Sequence, residues 1–105
     1  MKIELLYVEG CPHRELARRR LDRSLRALGS PETVSEILVP DPAAAAALRF
    51  LGSPSVRIDG VDIEPAAREG EGFGLACRTY LEGGRRQGAP SQDLIERALR
   101  EAADE

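Results

Sequence analysis

At 105 residues the chain has the length of one domain with a single core, and with 42% hydrophobic and 31% charged residues its composition is that of an ordinary globular protein. A formal net charge of −3 argues against nucleic acid as a partner of the whole domain, and no apolar run approaches the roughly 18 to 20 residues that span a bilayer, so no membrane partner is expected either. The N-terminus runs directly into a strand pattern with no leader-like segment, which points to a cytoplasmic location, where two cysteines do not make a disulfide framework.

The apolar, β-prone run Ile3 to Val8, bounded by Gly10 and Pro12, predicts a strand near the centre of a sheet. The period then changes. Ala17, Leu21, Leu25 and Leu28 recur at helical spacing, while the arginines from Arg18 to Arg26 fall mostly on other faces and read as a solvated surface. Pro12 suits a first helical position and Gly29 a C-terminal stop, so the helix is expected to start at or just after Cys11.

Ser30-Pro31 turns the chain into a second strand, Thr33 to Val39, with Ile37-Leu38-Val39 as its best-buried part. Asp41-Pro42 caps a second helix through Ala43 to Leu48, whose run of alanines makes a smooth face for close packing on a sheet. After Gly52-Ser53-Pro54, apolar residues alternate from Ser55 to Ile63 around Asp59-Gly60, a hairpin signal. Glu64 to Gly74 reads as an irregular loop. Leu75 to Leu81 recovers extended character, and two registers fit it: pairing with Ser55 to Ile58, or leaving that edge to Val61 to Ile63. Gly83-Gly84 and Gly88-Ala89-Pro90 are breakers, and Ser91 caps a last helix with Leu94, Ile95, Ala98, Leu99 and Ala102 on one face. The order β-α-β-α-β-β-α defines an α/β class.

Chemistry concentrates at Gly10-Cys11-Pro12-His13. A cysteine between a strand and a helix meets the free amides of the first turn and the positive end of the helix dipole, both of which favour thiolate over thiol. Arg14 stands where the second cysteine of a Cys-X-X-Cys motif would be, so a dithiol cycle is not available at this motif. Arg14 either supplies positive charge, orients a carboxylate of a thiol cosubstrate, or is plain surface. His13 either projects into solvent or exchanges protons with the Cys11 thiol. A single histidine and no pairs at finger spacing argue against a four-ligand structural zinc site, and no resident cofactor is expected. Cys77 is either a buried strand side chain or a neighbour of Cys11. In the second case, with Cα atoms within about 7 Å for a disulfide, the two form a resolving couple or a two-thiolate site for Hg, Cu(I) or Zn. Asp59 and Asp62 straddle a turn and read as surface residues, and Gly70, Gly72 and Gly74 lack the context of a phosphate loop.

The element order, with Cys11 at the first strand-to-helix junction and Ser53-Pro54 before the third strand, resembles the thioredoxin-like fold of the glutaredoxin type over essentially the whole chain. The resemblance implies a three-layer sandwich with a mixed four-stranded sheet and a cis Ser53-Pro54 peptide facing Cys11. The motifs Gly10-Cys11-Pro12, Gly52-Ser53-Pro54, Gly74-Leu75-Ala76-Cys77-Arg78-Thr79-Tyr80 and Gly88-Ala89-Pro90-Ser91 together resemble a group of small bacterial thioredoxin-family proteins sometimes labelled alkylmercury lyase. By that resemblance the chain is a thiol protein, a thiol-disulfide oxidoreductase working through Cys11 with glutathione or another low-molecular-weight thiol. Two further functions stand beside it: capture of a thiophilic metal or organomercurial by Cys11 and Cys77, and a redox-inactive scaffold for protein contacts.

Overall fold

The first strand, β1 (Ile3–Tyr7), is apolar on both faces, with Ile3, Leu5 and Leu6 each buried, and such a strand is stable only at the centre of a covered sheet. A computed structural model describes residues 1–104 and places β1 there. It pairs in parallel with β2 (Val34–Leu38) and antiparallel with β3 (Ser55–Ile58), which pairs antiparallel with β4 (Val61–Asp62). The result is a mixed four-stranded sheet in the order β2-β1-β3-β4.

Three helices cover it. On one face α1 (Arg14–Ala27) and α3 (Gln92–Ala103) bring Leu21, Leu25, Ile95 and Leu99 onto Ile3, Leu5, Val56 and Ile58. On the other, α2 (Pro42–Ala47) packs Ala45 with Leu6, Val39 and Phe50, where the small alanine side chains permit close approach. Strand alternation explains the division, because Ile3 and Leu5 point one way and Leu6 the other.

The helix boundaries follow from local chemistry. The Asp41 carboxylate accepts the Ala44 amide (2.8 Å) with Pro42 in the first turn of α2, and the Ser91 hydroxyl accepts the Leu94 amide (3.0 Å) at α3. Helix α1 ends as expected at Gly29, at φ 63°, with the Ser30 amide closing onto the Leu25 carbonyl (2.9 Å).

Its start differs from the expectation. The helix begins at Arg14 with His13 as cap, so Pro12 lies outside it. The intervening residues are consumed by a tight turn in which the Cys11 amide donates to the Val8 carbonyl (3.2 Å) and Gly10 takes φ 76°. Strand β2 also differs: it is an edge strand whose Leu38 is 45% exposed, while Val39, just beyond it, carries the burial. The Asp59-Gly60 hairpin forms as expected, at φ 52° and 80°, and Val61–Asp62 takes the edge of β3. Leu75 to Leu81 therefore does not join that sheet. Instead Tyr80–Glu82 (β5) and Arg85–Gln87 (β6) form a separate hairpin whose Gly83-Gly84 turn has φ 57° and 77°, the pair of positive values that a two-residue type I′ turn requires. Pro65–Ala67 makes one 3-10 turn in the loop before it.

Candidate functional site

Cys11 lies just past the C-terminal end of β1, on the turn that leads into α1, partly exposed and unpaired. It opens on a cleft of about 610 Å³ lined also by Gly10, Pro12, Arg14, Glu15, Arg18, Arg19 and Glu36. Two of those arginines are committed to one acid. Arg14 Nε and Arg18 Nη1 each donate to a Glu36 carboxylate oxygen at 3.0 Å, and the Arg14 guanidinium also stacks 3.6 Å from the Tyr7 ring centroid. The hydrogen bond to Glu36 raises the Arg14 pKa further above its ordinary value. Arg14 is therefore a fixed wall of the cleft, held between β1 and β2, and Arg19 is the cleft arginine without an ion-pair partner among the described residues. His13 is exposed, and its ring lies directly over Gly88, where a Cβ would sit 2.3 Å from the imidazole.

The Ser53-Pro54 peptide is cis, as the family resemblance implied. The Ser53 hydroxyl accepts the Val8 amide (3.1 Å), so the proline loop is tied to the strand end from which the Cys11 turn departs. A second segment fastens the loop from outside. The Ser53 amide donates to the Ala76 carbonyl (2.8 Å), and the Ser53 carbonyl accepts the Arg78 amide (3.0 Å), a parallel bridge that pairs Ser53 with Cys77. The Tyr80 hydroxyl donates to the Pro54 carbonyl (2.6 Å), and burial raises the phenol pKa, opposed only in part by the neighbouring Arg78 charge.

Residues 76 to 80 thus form a strap over residues 52 to 55, and Arg78 is its rivet. Its buried guanidinium donates to both Asp62 oxygens (2.6 and 2.8 Å), to the Ser55 hydroxyl (3.0 Å) and to Glu64 (3.4 Å), and lies 4.4 Å from the Tyr80 ring centroid. Burial alone would lower the Arg78 pKa, but the bonds to Asp62 and the nearby negative charges outweigh it and the net shift is upward. Gly52 makes room for this packing: at φ 131°, a Cβ there would stand 2.8 Å from the Arg78 Cβ. Partners in a bridge share one side and their neighbours take the other, so Gly52 and Arg78 face the buried network while Ser53 and Cys77 share the opposite side.

The sequence-based expectations sort accordingly. Ser53 is tied through Val8 to the Cys11 turn, Pro54 lies outside the lining of the Cys11 cleft, Cys77 is an exposed strap residue rather than a core side chain, and both cysteines are free. Asp62 corrects its reading as a surface residue, because it is buried against Arg78 while its neighbour Val61 faces solvent. Arg78, Tyr80, Gly52 and Glu36 carry the geometry without having been assigned a role. One signal for two of them was present in the chain: in an extended Cys77 to Leu81 segment the period of two puts Arg78 on the same side as the aromatic Tyr80, and in the structure both are buried, which demands an acid partner for Arg78. No protein-family model matches the chain, and neither a curated protein nor a solved structure matches it significantly.

Proposed function

We propose that this chain is a thioredoxin-like thiol protein in which Cys11 carries out thiol-disulfide exchange beside cis-Pro54. The observation that carries the reading is the Val8 amide bond to the Ser53 hydroxyl, which ties the cis-proline loop to the strand end that launches a partly exposed thiol. In the exchange, the Cys11 thiolate attacks one sulfur of a small disulfide, a new S–S bond forms, and the other sulfur leaves as a thiolate. A free low-molecular-weight thiol such as glutathione then attacks the adduct at its outer sulfur, forming a new small disulfide and returning Cys11 to the thiolate. Three arginines against Glu15 and Glu36 leave the cleft lining with an excess of one positive charge, which favours an anionic cosubstrate, and glutathione carries two carboxylates. Pro12 and Arg14 line the cleft, His13 lies over Gly88, and none of the three enters the bond changes.

The test is glutathione-supported reduction of hydroxyethyl disulfide. Turnover is expected from the wild type, loss of turnover from Cys11→Ser, and retention of most of it in Cys77→Ser, because glutathione replaces an internal resolving thiol. No turnover in any form, or the same turnover in Cys11→Ser, would refute the reading and leave the redox-inactive scaffold in its place.

The pairing of Cys77 with Ser53 also favours a second reading, capture of a soft metal or organomercurial by the two thiolates. Linear two-coordination suits Hg(II) and Cu(I), and among the described residues no group of three or more His, Cys, Asp and Glu side chains is arranged to hold an ion. Titration with Hg(II) separates the two: a one-to-one complex that either serine variant abolishes, in a protein without disulfide exchange, supports capture.

A further inference from the structure

The strap gives the exposed second cysteine a defined place. Ser53 and Cys77 are bridge partners and share one side, and on that side the Ser53 hydroxyl already touches the Val8 amide at 3.1 Å. Val8 is also the residue whose carbonyl receives the Cys11 amide at 3.2 Å. The two cysteines, 66 positions apart in the chain, are therefore both carried by backbone fastened to the Val8–Ser53 contact. Cys77 is held there by the two backbone bonds of its bridge, by Arg78 on the residue after it, and by Tyr80 two residues further on.

We propose that Cys77 is the resolving thiol for a mixed disulfide formed at Cys11, presented to it by the Arg78-riveted strap. The inference rests on Cys11 being the attacking thiol. With a small disulfide RSSR as the oxidant, Cys11 thiolate attacks, releases one RS⁻ and carries the adduct Cys11-S-S-R. Cys77, as its thiolate, then attacks the Cys11 sulfur, releases the second RS⁻ and leaves a Cys11–Cys77 disulfide. Two electrons have passed from the cysteine pair to RSSR, and two equivalents of an external thiol, oxidised to its own disulfide, restore both cysteines. The place of the second cysteine in Cys-X-X-Cys is filled in this chain by Arg14, and the strap supplies the missing sulfur from elsewhere in the sequence.

The experiment treats the fully reduced protein with one equivalent of dithionitrobenzoate, follows release of the coloured thiolate, and weighs the intact chain without reductant. The wild type is expected to release two thiolates in succession and to end without an adduct, as an internal disulfide. Cys77→Ser is expected to release one and to keep the adduct on Cys11. Tyr80→Phe, which loosens the strap without touching either sulfur, is expected to leave the first release unchanged and to slow the second several-fold. A wild type that keeps a stable Cys11 adduct beside a free Cys77 overturns the resolving role and leaves Cys11 exchange standing. No release from Cys11 at all overturns both, and equal second-phase rates in wild type and Tyr80→Phe overturn presentation by the strap.

Discussion

Replacing Asp62 by Asn is the most direct probe of what holds the strap. Asp62 and Arg78 side chains are only 9% and 5% exposed, and their paired bonds of 2.6 and 2.8 Å have bidentate geometry. Asn keeps the volume and one acceptor oxygen but removes the charge and turns the second oxygen into an amide donor that faces the guanidinium, which then has only the more distant Glu64 at 3.4 Å as an anionic partner. Removing one member of a buried pair costs about 3–5 kcal/mol, and the residual contact with Glu64 sets the expectation near the lower end, about 3 kcal/mol. For a domain of this size that is a fall in melting temperature of roughly 12 °C, at about 4 °C per kcal/mol. Urea unfolding measures the free energy, and native-state amide exchange reads the site, where the Arg78 and Ser53 amides of the bridge should lose protection more than those of β1. Arg78→Met combined with Asp62→Leu removes both charges and is expected to cost less than the sum of the two single changes by more than 1 kcal/mol. A loss below about 1 kcal/mol for Asp62→Asn, or strict additivity in the double variant, would refute the view of Arg78 as a charge held in place by Asp62.

Tyr80→Phe strips the hydroxyl from the buried Pro54 carbonyl and should cost about 1–2 kcal/mol at neutral pH. It also has a signature in pH. Burial raises the Tyr80 pKa in the folded chain, so above the ordinary phenol value near 10 the unfolded chain releases this proton while the folded chain keeps it. Wild-type stability should fall from about pH 10 upward, relative to Tyr80→Phe, by up to about 1.4 kcal/mol per pH unit, and parallel urea profiles between pH 8 and 11 would contradict this. Two glycine changes separate close packing from a movable neighbour. Gly52→Ala places a Cβ 2.8 Å from the Arg78 Cβ at φ 131° and should cost on the order of 2–4 kcal/mol. Gly88→Ala meets first the exposed His13 ring, which can swing aside, so thermal unfolding should register less than about 1 kcal/mol there.

The parts of the molecule legible in its sequence are those fixed by neighbours in the chain. Asp41-Pro42, Ser91 and Gly29 act on groups within a few residues, and Asp59-Gly60 needs only its own turn conformation. The strap was not legible because its decisive contacts reach across 16 to 26 residues, from Arg78 to Asp62 and from Tyr80 to Pro54. Asp62 misled for a related reason: alternation beside a turn assigns Val61 to the core, and only a distant cation reverses the sides. Gly83-Gly84 reads as a break, yet a two-glycine turn is itself a hairpin signal, and the strand after it, Arg85-Arg86-Gln87, carries no apolar alternation to mark it. Cys11 stood out from local sequence and Pro54 only through the family resemblance, whereas the location of Cys77 depended on the register of a segment that joins no strand of the main sheet.

The riveted strap has a topological consequence for the stretch between its anchorages. Asp62 and Ser53 on one side, and residues 76 to 78 on the other, are joined by contacts that do not run through the exposed Glu71-Gly72 tip. That tip is a seam: the polypeptide can be lengthened or interrupted there while both flanks stay bolted to the same framework, which makes it the natural position for new termini or an inserted peptide in this chain.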